Sequence, residues 1–185
     1  MARIPYVDPD AAPESVREAL SALPDLNIFR LLAHAETAFR PALRVGGAIL
    51  GAQRLDPALR ELAILHVAQA TGAEYEWVQH VPIARTAGVR DEQVVAVQRG
   101  ELAAACFNRR ECLVLRCAAE ALRDDRASPE AFDALVSELS AREAIELLLA
   151  VGYYRTLATI MRSAEIDLDE PAGTAVVESA RPPAD

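Results

Sequence analysis

Apolar residues recur along this chain at helical spacing, and no window alternates with the period of two that a half-buried strand requires. The runs are punctuated at their ends. Pro13 precedes ESVREALSAL and Pro24 ends it. NIFRLLAHA and TAFRPALRVGGAILGA follow as a short and a longer helix, the second weakened by Pro41 and by Gly46-Gly47. Asp56-Pro57 supplies an N-cap and a first-turn proline for ALRELAILHVAQAT, which stops at Gly72. AEYEWVQHVPIARTA comes next, kinked at Pro82 and closed by Gly88. RDEQVVAVQRG is a short helix. Asn108 and Glu111 form a capping box for ECLVLRCAAEALRDD, Ser128-Pro129 starts EAFDALVSEL, and Ser140 with Glu143 opens the longest run, REAIELLLAVGYYRTLATIMRSAEI. The expected fold class is all-α, one domain over residues 1–170. The segment 171–185 is small, polar and Pro-rich. It is expected to be loose or to lie over a neighbouring subunit.

Composition narrows the functions. The 185 residues are 52% hydrophobic, enough for a real core, and carry a formal charge of -9 with a pI near 4.9. Such a surface repels phosphate backbones and anionic lipid, so neither nucleic acid nor a membrane is an expected partner. No apolar run reads as long enough to span a bilayer, and MARIPYVDPDAAPESV lacks the apolar stretch of a signal peptide. All 19 basic residues are arginine, which removes Schiff-base chemistry and a P-loop lysine. Cys106, Cys112 and Cys117 are odd in number and form no CxxC, so no disulfide framework is expected and a reducing cytoplasm fits.

The chemistry concentrates in residues 61–80. About 100° per residue places Glu76 and His80 on one helix face, close enough for a hydrogen bond. Glu61 sits in the preceding helix among apolar neighbours, where burial raises its pKa unless a cation or donor meets it. A hairpin across Gly72 would bring Glu61 to Glu76 and His80, a set suited to proton transfer. The plain alternative is a helix start enriched in acids, with a polar stripe facing water. Metal binding is not expected, since Glu-x-x-x-His plus one distant glutamate lacks a zinc spacing. His34 and His66 read as packed or capping residues. Trp77 reads as core packing or, with Tyr75 and Gln79, as a wall of the site entrance. Arg85, Arg116 and Arg155 are candidates to hold a substrate carboxylate.

The stretch LRELAILHVAQATGAEYEWVQHVPIARTAGV resembles the core motif of the carboxymuconolactone decarboxylase family, which includes the AhpD-like alkylhydroperoxidases. The flanks LNIFRLLAHAETAFRPAL, NRRECLVLRCAAEAL and EAIELLLAVGYYRTLATIMRSAEIDLDE extend the resemblance over roughly 20–170. In the AhpD-like branch the motif is a glutamate, a CxxC and a histidine. Glu61 and His80 match its ends, but Ala73 and Glu76 stand at the two thiol positions, so disulfide exchange does not carry over. The resemblance implies an AhpD-like helical domain with the site on a two-helix hairpin (57–87), a homo-oligomer (trimer or hexamer) and no cofactor. It also implies three readings of function. One is a cofactor-independent lyase or isomerase acting on a small carbonyl or lactone acid, with His80, Glu76 and Glu61 catalytic and Tyr75, Trp77 and Gln79 against the substrate. The others are a peroxide-handling antioxidant protein and a non-catalytic oligomeric binding protein.

Overall fold

The computed structural model describes residues 1–180, and among them there is no strand. After a 3-10 turn at Pro9–Ala11 come α1 (Glu14–Ser21), α2 (Asn27–Leu32), α3 (Glu36–Gly51), α4 (Pro57–Thr71), α5 (Glu74–Thr86), α6 (Asp91–Gln98), α7 (Arg109–Asp124), α8 (Pro129–Glu138), α9 (Ala141–Ala164) and α10 (Ala175–Ala180). The cap chemistry is that of the sequence. Asp56 accepts from the amides of Ala58 and Leu59, Asn108 and Glu111 close a reciprocal box, and Ser140 accepts from Glu143.

Helix α4 is the axis of the fold. Every residue from Leu59 to Ala68 is buried, because α9, α5, α7 and α6 pack around it. A helix surrounded in this way can be apolar on all sides. One core cluster joins α4 to α7, α8 and α9 through Ile64, Val114, Leu135 and Leu147. A second ties α1, α2 and the start of α3 to the end of α9 through Val16, Leu32, Phe39 and Met161. A third joins α4 to α6 and α7 through Leu62, Leu65, Val97 and Leu115. Each fully buried side chain of this kind contributes roughly 1.5–3 kcal/mol.

Three features bear on the expectations. First, the helix expected at TAFRPALRVGGAILGA is present, and α3 runs unbroken through Pro41 and Gly46-Gly47. Pro41 is the sixth residue of the helix and leaves the Thr37 carbonyl without the amide donor four residues on, a cost the packed helix carries. A Cβ on Gly46 would sit 2.6 Å from the Tyr153 hydroxyl, so the glycine allows α9 to approach α3. Second, α9 is, by length and composition alone, apolar enough to cross a membrane, although no such run was expected. In this fold its apolar residues are shared between the core and an exposed face: Leu147 and Tyr154 are buried, while Ile145 and Leu149 are exposed. Third, the expected loose tail begins with structure. α10 packs against α3, with Val176 covering the first two core clusters. Residues 181–185 lie outside the described part.

Candidate active site

The α4–α5 hairpin forms because Gly72 adopts the left-handed conformation (φ 68°) that ends α4 and turns the chain back. The Ala73 amide closes the turn on the Ala68 carbonyl. Ala73 is fully packed at the start of α5, so the position of the missing first thiol is filled by core contacts.

This turn brings Glu61 to His80. Glu61 Oε2 lies 2.8 Å from His80 Nδ1, and Glu61 Oε1 accepts from Arg60 Nε at 2.9 Å. Glu61 is 0% exposed, and Arg60 is buried beside it with Nη1 donating to the carbonyls of Ile49 and Leu50. The buried carboxylate thus has the cation and the donors its burial demands. Arg60 was not singled out in the sequence, because adjacent residues on a helix point in different directions. Only the length of the guanidinium arm closes this pair.

Glu76 does not take the role its spacing implied. His80 turns its Nδ1 to Glu61, and neither oxygen of Glu76 has a hydrogen-bond partner among the described residues. Glu76 is 2% exposed. Burial, reinforced by the negative Glu61 nearby, pushes its pKa well above the ordinary carboxylate range. Burial of this kind favours the uncharged acid, a hydrogen-bond donor.

Both residues line a cavity of about 470 Å³ between α5, α9, α3 and α2. Its walls are mainly apolar, with Ile28, Leu32, Leu50, Leu157 and Met161 among them. Tyr154 stands edge-on to the His80 ring at 4.8 Å, and Tyr153 donates to the Ala42 carbonyl; neither tyrosine was foreseen. Tyr75 and Gln79 also line the cavity, but their polar groups are already engaged. The Tyr75 hydroxyl donates to Asp169, while Gln79 donates to the carbonyls of Asp169 and Glu170 and accepts from the Ala172 amide. They hold the segment after α9 across the site.

Trp77 lies elsewhere. It packs on the third core cluster, on the face of α5 turned from the cavity, so the core reading holds and the entrance reading is corrected. The three candidate arginines are also elsewhere. Arg85, Arg116 and Arg155 are exposed and paired with Asp91, Glu120 and Asp125. His34 is exposed and meets the Pro5 carbonyl, and His66 is buried in α4 with Nδ1 unpartnered. No cysteine lines the cavity, and burial pushes Cys117 up to about 11. No group of residues suited to a metal occurs among the described residues.

Residues 36–120 match the model of the carboxymuconolactone decarboxylase family. Among solved structures the chain is similar to the alkylhydroperoxidase AhpD core of an uncharacterised peroxidase-related protein from Ralstonia eutropha JMP134. The identity is 19%, the TM-score 0.78, and the match covers 99% of this chain and 98% of that one. A protein of unknown function from Agrobacterium tumefaciens, whose description links it to the antioxidant defence protein AhpD, aligns at 17% identity and TM-score 0.67. That match covers 74% of this chain and 94% of the other. At these identities the likeness is one of fold. A search of curated proteins gave no match.

Proposed function

For a chain that belongs, through residues 36–120, to the carboxymuconolactone decarboxylase and AhpD-like superfamily, we propose a cofactor-independent lyase or isomerase that moves protons on a small carbonyl or lactone compound. The observation that carries this reading is the Glu61–His80 hydrogen bond at the wall of a mainly apolar cavity. With its Nδ1 proton given to Glu61, His80 has Nε2 left as an acceptor, and Nε2 has no protein partner among the described residues. An imidazole held in one tautomer by a buried carboxylate is suited to remove and return a proton, and a general base of this kind contributes about 10²–10⁴-fold. Arg60 pairs with Glu61 and holds it in place, so the carboxylate is positioned to orient the ring. Uncharged Glu76 stands one turn away and can donate to an oxygen on which negative charge develops.

The redox alternative is weaker for want of a thiol at the cavity. The reading as a binding protein would share the cavity but not need the base. Solvent exchange separates them. In D2O, the wild type should incorporate deuterium beside the carbonyl of ketones or lactones that fit the cavity, and His80→Gln should lose this. Exchange that is equal in the variant, or absent from the wild type, removes the acid–base reading.

We also infer self-association. Ile145 and Leu149 lie one turn apart on α9 and are 59% and 51% exposed, an apolar stripe suited to a second copy.

A further inference from the structure

The cavity holds an unusual combination: an almost entirely apolar wall and one buried carboxyl group with nothing to bond to. Glu76 is 2% exposed, lines the cavity, and leaves both oxygens without a partner among the described residues. A buried polar group in that state costs about 1–3 kcal/mol unless something completes it, so the group is informative about what the cavity holds. Among the described residues, most of the charged and titratable groups around it are engaged elsewhere. From α4, Arg60 and Glu61 neutralise each other. From α5, His80 is turned to Glu61, and Tyr75 to Asp169. From α9, Tyr154 packs against His80 and Tyr153 donates to the Ala42 carbonyl. From α3, Arg44 is the only guanidinium on the lining among the described residues, and it is solvent-exposed.

We infer that the cavity takes an uncharged, largely apolar molecule bearing a carbonyl oxygen, which accepts a hydrogen bond from the Glu76 carboxyl. A ketone, an ester or a lactone without a free acid has this character. The inference rests on the cavity beside His80 being the reaction site and narrows its substrate class. A carboxylate would bring a negative charge next to Glu61 and Glu76, with no buried cation among the described residues left to receive it, because Arg60 is consumed by Glu61 and by two backbone carbonyls. The same charge balance holds Glu76 in its protonated form. An uncharged acceptor oxygen therefore satisfies Glu76 without adding charge, whereas an anion, although it could accept from the same carboxyl, would carry its charge into the site beside Glu61. The apolar walls would cover the remainder of the molecule.

The test is calorimetric titration of the full chain with probes matched in length: 2-nonanone, γ-nonalactone and nonanoate. The ketone and lactone should bind at least tenfold more tightly than the acid at neutral pH. Their affinity should fall as pH rises through the pKa of Glu76, because ionisation removes the donor. Glu76→Gln, which retains an N–H donor, should bind the ketone with no such decline. Should that variant fail to fold, the wild-type pH series decides alone. Nonanoate binding as tightly as the ketone overturns the inference, above all if Arg44→Ala then abolishes it, since the exposed arginine would be the recognition point. Absence of ketone binding, or a pH decline unchanged in Glu76→Gln, overturns it as well. Because binding needs no turnover, the two readings fail separately. Ketone binding without deuterium exchange removes the acid–base reaction and leaves the ligand class standing.

Discussion

His80 Nδ1 and Glu61 Oε2 lie 2.8 Å apart although they belong to different helices, and the left-handed Gly72 between those helices makes the approach possible. The pair depends on Arg60. Replacing Arg60 with Ala strands a carboxylate in the core, which costs about 3–5 kcal/mol in buried pairs. Urea unfolding should show a loss of that size, with the denaturant slope unchanged. A loss under 1 kcal/mol would mean that Glu61 does not need the guanidinium.

His80→Gln should fold and assemble as the wild type does, since the amide retains volume and some hydrogen bonding. Its turnover on any carbonyl substrate of the wild type should drop by about 10²-fold or more. Matching melting temperatures with unequal rates would place the effect in chemistry. Full activity in the variant would remove His80 from the mechanism.

Glu76 makes stability fall as pH rises above the ordinary carboxylate range. Its native pKa is raised by burial and by Glu61, while its unfolded pKa is ordinary. The unfolded chain then loses this proton first, so the contribution is complete below the ordinary carboxylate range. It declines as pH climbs towards the native pKa. Glu76→Gln should flatten that decline in unfolding curves taken from pH 5 to 9. An unchanged slope would show that Glu76 is ionised in the fold.

His66 acts at the other end of the scale. Burial lowers its pKa to about 4, so the folded state stays neutral while the unfolded state takes up a proton below about 6.5. Stability is present above that value and falls as pH drops towards 4. His66→Phe should reduce this acid loss, measured by melting temperature between pH 7 and 4. An equal loss in both proteins would assign it to carboxylates elsewhere.

Assembly can be tested on α9. A trimer, or a multiple of three, is expected in dilute buffer by light scattering, and Leu149→Glu should dissociate it without loss of helical signal. A monomeric wild type would leave the exposed stripe of Ile145 and Leu149 without a covering partner.

Much of this architecture is written in local signals. Asp56, Asn108, Ser128 and Ser140 mark helix starts through short-range bonds, so the elements are readable without tertiary information. The approach of Glu61 to His80 is also readable, because a glycine turn between two helices restricts their arrangement. The choice of partner is not. Helical spacing places Glu76 near His80, but the ring turns to the carboxylate that keeps its charge, and that depends on Arg60. The bonds of Tyr75 and Gln79 to residues 169–172 are equally silent, since side chains that grip irregular backbone leave no periodic trace. Trp77 was ambiguous for a simpler reason: α5 is packed on two sides, and the pattern does not say which side is hollow.

The N-terminal segment is stitched to the residues at the end of α9. Asp167 accepts from the Ala2 amide and the Tyr6 hydroxyl, and the Arg3 amide donates to the Ala164 carbonyl. Mechanically, this places a clasp in series ahead of the helical core. Tension applied between residues 2 and 167 would load a few polar bonds before it reached α4, and those bonds would rupture first at low force.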